Sequence, residues 1–251
     1  MPTKKSIRQN EIHQIVLDRG SIRVKELSQL LGVTPETLRS DLTEMEQQKR
    51  LIRQHGIAKS ISSLEEVSIN VRRKENIANK RIVGVRALNL IEENQIAYID
   101  AGSTLTLGLP ALANKKNIVI VTNNVEVAYR AGVMDIKTIV CGGELFNTGL
   151  RTYGDSVIQT IDSIGIDIAI LGTDGFADSN GFTTVHYPEL EIKRHLVAQS
   201  KKIVMACDAS KFEKRAPYIT ARFKETDIRV TNQLTDAQRQ QVADVSKIIE
   251  V

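Results

Sequence analysis

The sequence lacks several residue types and patterns on which common classes of protein depend. It has no tryptophan and only two cysteines, Cys141 and Cys207, which stand in no CxxC or Cys/His spacing. A disulfide framework or a zinc site is therefore not expected, and both cysteines are predicted to be buried free thiols. No apolar run approaches the roughly 18 residues that span a bilayer. The amino terminus also lacks the apolar core of a signal peptide, so a cytoplasmic protein is expected.

Excess charge is also scarce, and it is confined to one part of the chain. The 251 residues carry 34 basic and 30 acidic side chains, a net charge of +4. Residues 1–60 hold 11 of the basic and 7 of the acidic groups, so residues 61–251 hold 23 of each and are neutral. A basic first quarter on a neutral body is the charge distribution expected of a segment that binds nucleic acid.

Three helical patterns follow one another in this basic quarter. The first starts near Ser6 and is stopped by Gly20, and the second is short and ends at Gly32. The third begins at Thr34 and Pro35. Thr34 is a good N-cap, and Pro35 fits the first helical position because its missing N–H would have no partner there.

The third helix is predicted to have one apolar and one polar face. Leu38, Leu42 and Met45 recur at the spacing of a single inward stripe. The outer face and its flanks carry Glu36, Thr37, Arg39, Ser40, Thr43 and Gln47. A short helix, a turn containing glycine and a second helix with a polar outer face make the helix-turn-helix that sets its second helix in the major groove of DNA.

A small hairpin, or wing, is predicted to complete a domain over residues 1–60. Leu51–Gln54 and Ile57–Ser60 flank His55-Gly56, a turn in which glycine accepts positive φ. Basic side chains cluster on and beside it and suit phosphate contacts. The alternative is that they are solvated charges on a small helical packing domain. The candidate DNA-contacting residues are Thr34, Glu36, Thr37, Arg39, Ser40, Thr43, Arg53, His55 and Lys59.

The nucleic acid is expected to be double-stranded. No Phe, Tyr or Trp precedes Tyr98. Proteins that read single strands or RNA stack the bases on aromatic rings, and this quarter of the chain has none to offer. Reading of a duplex groove fits the residues better.

Beyond the basic quarter, strands and helices alternate. Residues 61–76 are predicted as a linker and the start of a connecting helix that runs from about Val71 to Glu93, and residues 77–251 as a second domain. The inward face of the helix is expected at Ile77, Ile82, Val85, Leu88 and Ile91. Continuously apolar runs then occur at 96–99, 118–121, 138–141, 168–171, 203–206 and, less clearly, 227–230. Such runs are typical of strands buried on both faces, so they predict a parallel α/β sheet.

Small and polar residues follow the first five of these strands. In open α/β sheets ligands bind beyond the carboxyl ends of the strands, where backbone N–H groups attract phosphate. We expect the five loops to converge on one pocket. The candidate effector-binding residues are Asp100, Gly102, Ser103, Thr104, Thr122, Asn123, Asn124, Gly142, Gly143, Gly172, Thr173, Asp174, Gly175, Lys193, Asp208 and Lys211. Alternatively, the Gly142-Gly143 pair only makes a turn, and Asp100 or Asp208 only caps the next helix.

The basic quarter resembles the amino-terminal signature of the DeoR family of bacterial transcriptional regulators. That signature reads V-S-x-x-T-I-R-R-D-L followed by L-x-R-x-H-G-G-A, and the chain has VTPETLRSDL from Val33 and LIRQHGIA from Leu51. Two of the departures from it matter. Ser40 replaces the second Arg, which removes a potential DNA contact, and Ile57 replaces the second Gly, which stiffens the turn of the wing.

The resemblance to the DeoR family extends through the second domain. Its sensor-domain motifs D-x-G-T-T, V-T-N, G-G, G-x-x-G and D-x-S-K-F correspond to DAGST from Asp100, VTN from Val121, Gly142-Gly143, GTDG from Gly172 and DASKF from Asp208. Ser103 replaces a Thr and keeps the hydroxyl. The resemblance implies a fold related to ribose-5-phosphate isomerase, an effector that is a phosphorylated sugar or related metabolite, a homo-oligomer (dimer or tetramer), and repression of a carbohydrate operon.

The leading hypothesis is therefore a DNA-binding repressor controlled by a small phosphorylated effector. The alternative is a sugar-phosphate isomerase that uses Asp100, Asp174 or Lys193 for proton transfer, but an isomerase would not need a basic amino-terminal domain. A nicotinamide-sensing regulator is a further alternative, but no G-x-G-x-x-G follows any predicted strand, and no cofactor is expected.

Overall fold

The computed structural model describes residues 4–19, 21–48, 50–54, 56–60 and 68–251. The chain divides into two compact units, residues 1–65 and 66–251. The predicted linker residues 61–67 and His55 lie outside the described residues. None of the helices within the described ranges is long and apolar enough to cross a membrane.

The first unit is a winged helix-turn-helix. Its helices and strands are α1 (Lys4–Arg19), β1 (Ser21–Arg23), α2 (Val24–Leu31), α3 (Pro35–Gln47), β2 (Leu51–Gln54) and β3 (Ile57–Ser60). The described strands form an antiparallel sheet in the order β1-β3-β2. The predicted helices and hairpin are confirmed, whereas β1 was not predicted because so short a segment has no readable period.

Local chemistry places the start of α3 where the sequence predicts it. Gly32 takes the left-handed conformation, with φ of 60°, and ends α2. Thr34 then accepts a hydrogen bond from the Thr37 N–H, and Pro35 occupies the first turn. The buried Asp41 pairs with Arg8 and so ties α3 to α1. The core consists of Ile12, Val16, Ile22, Leu27, Leu38, Leu42, Met45, Leu51 and Ala58.

The second unit is an α/β domain. Its first half contains α4 (Ile69–Arg72), α5 (Ile77–Leu88), β4 (Ile96–Ile99), α6 (Ser103–Gly108), β5 (Val119–Thr122), α7 (Val125–Val133), β6 (Lys137–Val140), β7 (Glu144–Phe146), β8 (Arg151–Tyr153) and α8 (Asp155–Asp162). Its second half contains β9 (Ile168–Leu171), β10 (Gly181–Thr184), α9 (Tyr187–Gln199), β11 (Ile203–Ala206), β12 (Tyr218–Arg222), β13 (Ile228–Thr231), α10 (Asp236–Gln241) and β14 (Lys247–Glu250). Short 3₁₀ turns lie at Leu109–Leu112, Ala209–Glu213 and Phe223–Glu225.

A parallel sheet forms the middle layer of this unit. Within residues 68–251 it has seven strands in the order β14-β13-β11-β9-β4-β5-β6, and every neighbouring pair is parallel. The chain runs from β4 outward to β6, then returns to the other side of β4 at β9. This reversal between β4 and β9 is a topological switch point, the place where open α/β sheets bind ligands. The parallel α/β fold predicted from the apolar runs is confirmed.

Helices cover both faces of the sheet because successive strand residues point to opposite sides. Ala97 and Ile99 pack with α5, α6 and α7, whereas Tyr98 packs on the other face with α8 and α9. Both cysteines are buried free thiols, as predicted.

The connecting helix differs from the prediction. Instead of one helix from about Val71 to Glu93, the chain forms α4 and α5 with a break at Asn76, whose φ is 50°. Ile77 and Ile82 are exposed, although both were expected to face inward, and Lys80 is buried in their place. The reason is close packing against α6, which only a small residue permits: a Cβ at Gly84 would lie 2.1 Å from the carbonyl oxygen of Thr104.

Candidate functional site

A polar pocket opens at the switch point of the sheet. It lies at the carboxyl ends of three adjacent strands, β11, β9 and β4, and α9 and the segment containing α4 and α5 complete it. Its lining residues are Arg72, Lys80, Ala101, Gly102, Ser103, Thr104, Leu105, Gly172, Thr173, Asp174, Glu189, Lys193, Ala206, Cys207 and Lys211. Charged and hydroxyl-bearing side chains therefore predominate over apolar ones.

Part of the predicted effector site is brought together in this pocket. The predicted residues that line it are Gly102, Ser103, Thr104, Gly172, Thr173, Asp174, Lys193 and Lys211. They come from the loops after β4, β9 and β11, and from α9. The expectation that all five loops converge is wrong, because β5 and β6 lie beyond β4 toward one edge of the sheet.

The loop after β5 holds the fold together instead of lining the pocket. The Thr122 hydroxyl donates to the Ile99 carbonyl at 2.7 Å. Asn123 accepts a hydrogen bond from the Tyr98 hydroxyl at 2.9 Å, and Asn124 caps α7 by accepting from the Val127 N–H at 2.8 Å. All three polar side chains are buried and satisfied by protein groups.

Two of the predicted glycines outside the pocket, Gly143 and Gly175, allow close backbone approaches. Gly142 and Gly143 lead into the β7–β8 hairpin, where Gly143 has φ of 112° and a Cβ would lie 2.2 Å from the Tyr153 carbonyl oxygen. At Gly175 a Cβ would lie 2.1 Å from the Lys214 carbonyl oxygen. Gly143 therefore has a structural reason to be glycine, and effector binding by the Gly-Gly pair stays a prediction.

Asp100 and Asp208 are predicted site residues that support the pocket from behind. Asp100 Oδ2 accepts from the Gly172 N–H at 2.9 Å and therefore joins β4 to β9 across the switch point. Asp208 accepts from the Ser210 N–H at 3.0 Å and so caps the turn that carries Lys211. Neither aspartate is among the lining residues.

Lys193 is the most strongly neutralised cation of the pocket. Its ammonium lies 2.9 Å from Asp100 Oδ2 and 3.9 Å from Glu189 Oε2. Burial disfavours its charged form, but these carboxylates outweigh burial, and the pKa of Lys193 lies above its ordinary value. Glu189 is in turn paired with Arg151 at 2.8 Å. Lys193 therefore organises the floor of the pocket and has little positive charge to spare for a ligand.

Two positively charged residues of the pocket were not predicted from the sequence. Arg72, on α4, lies 3.2 Å from Asp174 Oδ1, and Lys80, on α5, donates a hydrogen bond to the Arg72 carbonyl. The sequence contains one indication of Lys80: it lies on the same helical face as Val83 and Gly84, where an apolar residue is the rule. Glu189 and Cys207, also in the lining, were missed as well.

Asp174 is held in its charged form by this cationic surrounding. Burial alone would raise its pKa. Arg72, Lys211 and Lys193 outweigh burial, and the pKa of Asp174 lies well below its ordinary range. The carboxylate also accepts hydrogen bonds from the Val185 N–H at 3.0 Å and the Thr184 hydroxyl at 3.1 Å. It is therefore a fixed negative charge at the wall of the pocket.

Lys80 and Lys211 differ from Lys193 in having no carboxylate partner among the described residues. Within the described residues neither ammonium has a carboxylate oxygen at ion-pair distance, and the Lys211 ammonium donates to the Asp174 carbonyl at 3.4 Å. Burial, with repulsion from Lys211, lowers the pKa of Lys80 to about 8, and burial also lowers that of Lys211. A multiply charged oxyanion would relieve both effects, so this side of the pocket suits such a ligand.

The candidate DNA-contacting residues that the structure describes, all but His55, lie on the outer surface of the first unit. Thr34, Glu36, Arg39, Ser40 and Thr43 are exposed, and Thr37 is half-buried at the start of α3. Arg39, Ser40 and Thr43 line a shallow concavity on the outer face of α3 with Glu44 and Gln47. On the wing, Arg53 donates to the Arg39 carbonyl at 3.4 Å, and Lys59 is half-buried. DNA contact by these residues stays a prediction.

A winged helix-turn-helix followed by a parallel α/β unit with a polar pocket defines a transcriptional regulator that carries a sensor domain. The chain belongs to the DeoR family of such regulators: residues 8–64 match the DeoR-like helix-turn-helix domain, and residues 75–233 match the DeoR C-terminal sensor domain. The family consists of regulators, so the isomerase alternative is set aside.

Named relatives align over most of the chain. The glycerol-3-phosphate regulon repressor of Escherichia coli strain K12 is 30% identical over 214 residues, which cover 85% of this chain and 85% of that protein. The putative aga operon transcriptional repressor of Escherichia coli O157:H7 is 29% identical over 217 residues, 84% of this chain and 80% of that one. Among solved structures, ribose 5-phosphate isomerase from Plasmodium falciparum is similar with a TM-score of 0.39 and 19% identity over 53% of this chain and 51% of that one. A likeness at that level bears on neither activity nor ligand.

Proposed function

We propose that this protein is a transcriptional repressor of a carbohydrate-utilisation operon, and that a phosphorylated sugar or polyol bound in the pocket releases it from operator DNA. The observation that carries the proposal is the pocket at the switch point, where Arg72, Lys80 and Lys211 meet small residues and hydroxyls. These groups match the two halves of a phosphosugar, an anionic group and a polyhydroxylated chain.

The hydroxyl groups of the pocket support the sugar half of the proposal. Ser103 and Thr104 lie in the lining and are buried, and no hydrogen bond of their side chains to other described residues is present. Gly102 and Gly172 carry no Cβ, so a ligand can approach the backbone closely. Sugar hydroxyls both donate and accept hydrogen bonds, and this side of the pocket offers them partners of both kinds.

The relatives support repression and the class of effector. One is named as the repressor of a glycerol-3-phosphate regulon and another as a putative aga operon repressor. Both are repressors by name, the second a putative one, and the first regulon is named for a small phosphate ester. We carry over to this chain the class of regulator and the class of ligand, and no particular compound.

In the DNA complex we assign α3 to the major groove and the wing to the sugar-phosphate backbone of the DNA. Arg39, Ser40 and Thr43 are the side chains with the best access to base edges, whereas Arg53 and Lys59 suit phosphates. We infer that the protein binds as a homo-oligomer, dimer or tetramer, because paired helix-turn-helix units read paired half-sites about one helical turn apart.

The experiment is a thermal-shift screen followed by a DNA-release assay. Phosphorylated sugars and polyols are tested beside their unphosphorylated parents, because a ligand selective for the native state raises the unfolding temperature. The best ligand is then added to the complex with a duplex selected from a random library. We expect release of the wild type and no release of Lys211→Ala, which should still bind the duplex. Lys214→Ala is the matched control, because Lys214 pairs with Glu75 outside the lining. Release by unphosphorylated sugars alone would overturn the proposal.

A further inference from the structure

The sheet of the second unit has a free edge at β6. β6 pairs with β5 on one side, and no described strand pairs with it on the other. The Cys141 N–H donates to the Thr122 carbonyl at 2.9 Å. Because backbone groups alternate in direction along a strand, those of Ile139 also face β5, and those of Thr138 and Val140 face outward. The edge therefore offers two N–H and two C=O groups to another strand.

An exposed apolar stripe lies beside this edge, on α7. Val125, Tyr129 and Val133 follow one another at intervals of four residues and therefore share one side of the helix. Tyr129 and Val133 are more than two thirds exposed, and Val125 is exposed as well. Val140 is a further exposed apolar residue, and it lies on the face that α7 covers, because its ladder partner is two positions beyond Ile120 of the core under α7. Adjacent exposed apolar groups of this kind are typical of an interface.

The opposite edge of the sheet, β14, is protected by charge. β14 begins with Lys247 and ends with Glu250, whose carboxylate is bound by Arg239 at 2.6 Å. β6 has a single charged residue, Lys137, at its first position, and its two outward-facing positions are uncharged. Charged side chains on an edge strand discourage pairing with another chain. Of the two edges, β6 is therefore the one that is suited to pairing.

A second copy of β6 fits this edge in a register that the outward groups define. When two copies run antiparallel about a two-fold axis at Ile139, Thr138 of each copy lies opposite Val140 of the other. The two residues then exchange N–H···O=C hydrogen bonds in both directions, so that each copy satisfies the outward groups of the other. Lys137 lies opposite Cys141 in this register, so no like charges meet.

The position of α7 agrees with the same arrangement. α7 contacts both β5 and β6, so it lies over the gap between them. Because neighbouring strands are about 4.8 Å apart, pairing of the two β6 strands sets the two copies of α7 about 10 Å apart on one face of the joined sheet. Helices pack at distances of about 8–10 Å. The two α7 helices run antiparallel, and their apolar stripes lie side by side.

The charged neighbours of the stripe are already compensated within one copy. Glu126 pairs with Arg130 at 3.0 Å and also with Arg73. A partner of different chemistry, such as an acidic or basic protein, is recognised through charges that it neutralises. A neutral surface whose backbone groups complement their own copy favours a second copy of this chain.

We propose that the second unit pairs with a second copy of itself through β6 and α7, which joins two seven-stranded sheets into one. The inference deepens the proposed function and rests on it for the homo-oligomer. It adds the surface that joins two protomers, and it removes the free edge at β6 from each of them.

The first test places a cysteine on the two-fold axis of the full-length protein. Opposite residues of an antiparallel pair without mutual hydrogen bonds have Cα atoms about 4.5 Å apart, which a disulfide can bridge. Diamide, which takes up the two hydrogen atoms, should therefore link most chains of Ile139→Cys in pairs on a non-reducing gel. The matched control is Ile248→Cys, a half-buried position on β14, which should give no linked pairs. Wild type should give none either, because Cys141 and Cys207 are buried.

The second test measures the mass in solution by analytical ultracentrifugation over a range of concentrations. Tyr129→Asp should raise the dissociation constant by about thirtyfold or more, the change expected when a central aromatic contact of an interface is lost. At a concentration between the two constants it should sediment at half the mass of wild type. Tyr187→Asp is the matched control, because Tyr187 is a similarly exposed tyrosine at the start of α9, and it should keep the wild-type mass.

Val140→Pro keeps the inference testable if Tyr129→Asp does not fold. It removes an outward N–H that the ladder with β5 does not use, and proline is tolerated on edge strands for this reason. We expect the thermal unfolding of the protomer to stay cooperative and the mass to fall to half that of wild type. An unchanged mass in a folded Val140→Pro variant would overturn pairing through β6.

The outcomes separate this inference from the proposed function. If wild type is a homo-oligomer, but Ile139→Cys gives no more linked pairs than Ile248→Cys and Tyr129→Asp keeps the wild-type mass, the interface is misplaced and the proposed function stands. If wild type is a monomer both free and on the selected duplex, the inference and the proposed homo-oligomer are overturned together. Release of DNA by a phosphosugar would still support the repressor in that case. Slow hydrogen exchange of the β6 amides in such a monomer would show that another segment of the same chain covers the edge.

Discussion

Lys80 makes anion binding in the pocket sensitive to alkaline pH. Its neighbours are Lys211, Asp208, Glu75 and Lys214, and burial with repulsion from Lys211 brings its pKa to about 8. An anion binds the protonated lysine better, so binding raises that pKa. We expect phosphate affinity to be nearly constant just below pH 8 and to fall above it, by up to about tenfold per pH unit, because one proton must be taken up.

Calorimetric titration of phosphate between about pH 7 and pH 9 checks this dependence. Lys80→Met is the comparison and should lose most of the decline above pH 8. The free energy of unfolding has the opposite trend. Because the pKa of Lys80 is lower in the folded state than in the unfolded chain, the native state loses this proton at a lower pH than the unfolded state does. Between about pH 8 and pH 10.5 wild type should gain stability as the pH rises. A flat affinity profile would show that Lys80 does not contact the bound anion.

Lys193 and Asp100 form a buried pair whose disruption should be costly. Both side chains are less than a twentieth exposed, and their charged atoms are 2.9 Å apart. Lys193→Met leaves Asp100 and Glu189 buried and undercompensated, so we expect a loss of about 3–5 kcal/mol in the free energy of unfolding. Urea denaturation measures it.

A surface pair provides the control for this prediction. Lys201 lies 2.8 Å from Asp167, but its side chain is 77% exposed. Lys201→Met should change stability by less than about 1 kcal/mol. The double variant Asp100→Asn with Lys193→Met should lose less than the sum of the two single changes, and strict additivity would argue against a coupled pair.

The contact between α5 and α6 is the element-scale feature on which the pocket depends. A Cβ at Gly84 would meet the Thr104 carbonyl oxygen at 2.1 Å, and one at Gly108 would meet Gly84 itself at 2.3 Å. Gly84→Ala must push apart α5, which carries Lys80, and α6, which begins at Ser103. We expect a loss of about 1–3 kcal/mol in stability and weaker phosphate binding.

Gly132→Ala is the matched change in an open helix. No atom lies within 4 Å of its added Cβ, and its φ is not in the left-handed region. This variant of α7 should be neutral or more stable by up to about 1 kcal/mol, with unchanged phosphate binding. Thermal unfolding of the two variants side by side is the measurement. Equal changes in stability for Gly84→Ala and Gly132→Ala would mean that the close approach of α5 to α6 does not require glycine at position 84.

The recognition helix and the wing should respond differently to alanine. Arg39 is exposed on the outer face of α3, so Arg39→Ala should weaken binding to the selected duplex and blur its sequence preference. Lys59→Ala on β3 should weaken all duplexes alike and reduce the salt slope by about one unit. Fluorescence anisotropy at several salt concentrations measures both. Lys224→Ala, an exposed change in the second unit, is the control, and operator affinity unaffected by Arg39→Ala would disprove the assignment of α3.

At the scale of the whole molecule, effector and operator must affect each other equally. If the effector lowers operator affinity by some factor, linkage requires that the operator lower effector affinity by the same factor. We expect this factor to be large in wild type and close to one in Arg72→Gln at saturating effector. Titrating effector into free protein and into the DNA complex measures it. An unchanged factor in Arg72→Gln would place the coupling outside the segment that carries α4.

Features set by interactions between neighbouring residues were predicted correctly from the sequence, whereas features set by contacts between distant residues were not. The start of α3 was predictable because Thr34 and Pro35 act on their immediate neighbours. The strand Ile168–Leu171 was predictable because a continuous apolar run marks burial on both faces. β14 was missed because Lys247–Glu250 is partly exposed at the sheet edge. Ile77 and Ile82 were wrongly placed on the inward face of α5, because close approach to α6 favoured Gly84 over a bulky residue, whereas Leu88 is buried as predicted.

The sequence by itself determined the two-domain plan, the helix-turn-helix and the chemistry of the loops, since each of these is encoded within a few neighbouring residues. Only the tertiary structure decided which loops meet. The strand order sets β11, β9 and β4 side by side and leaves β5 and β6 outside the pocket. It also brings Arg72 to Asp174 across 102 positions of the chain. Contacts between residues so far apart depend on packing and leave no local pattern to read.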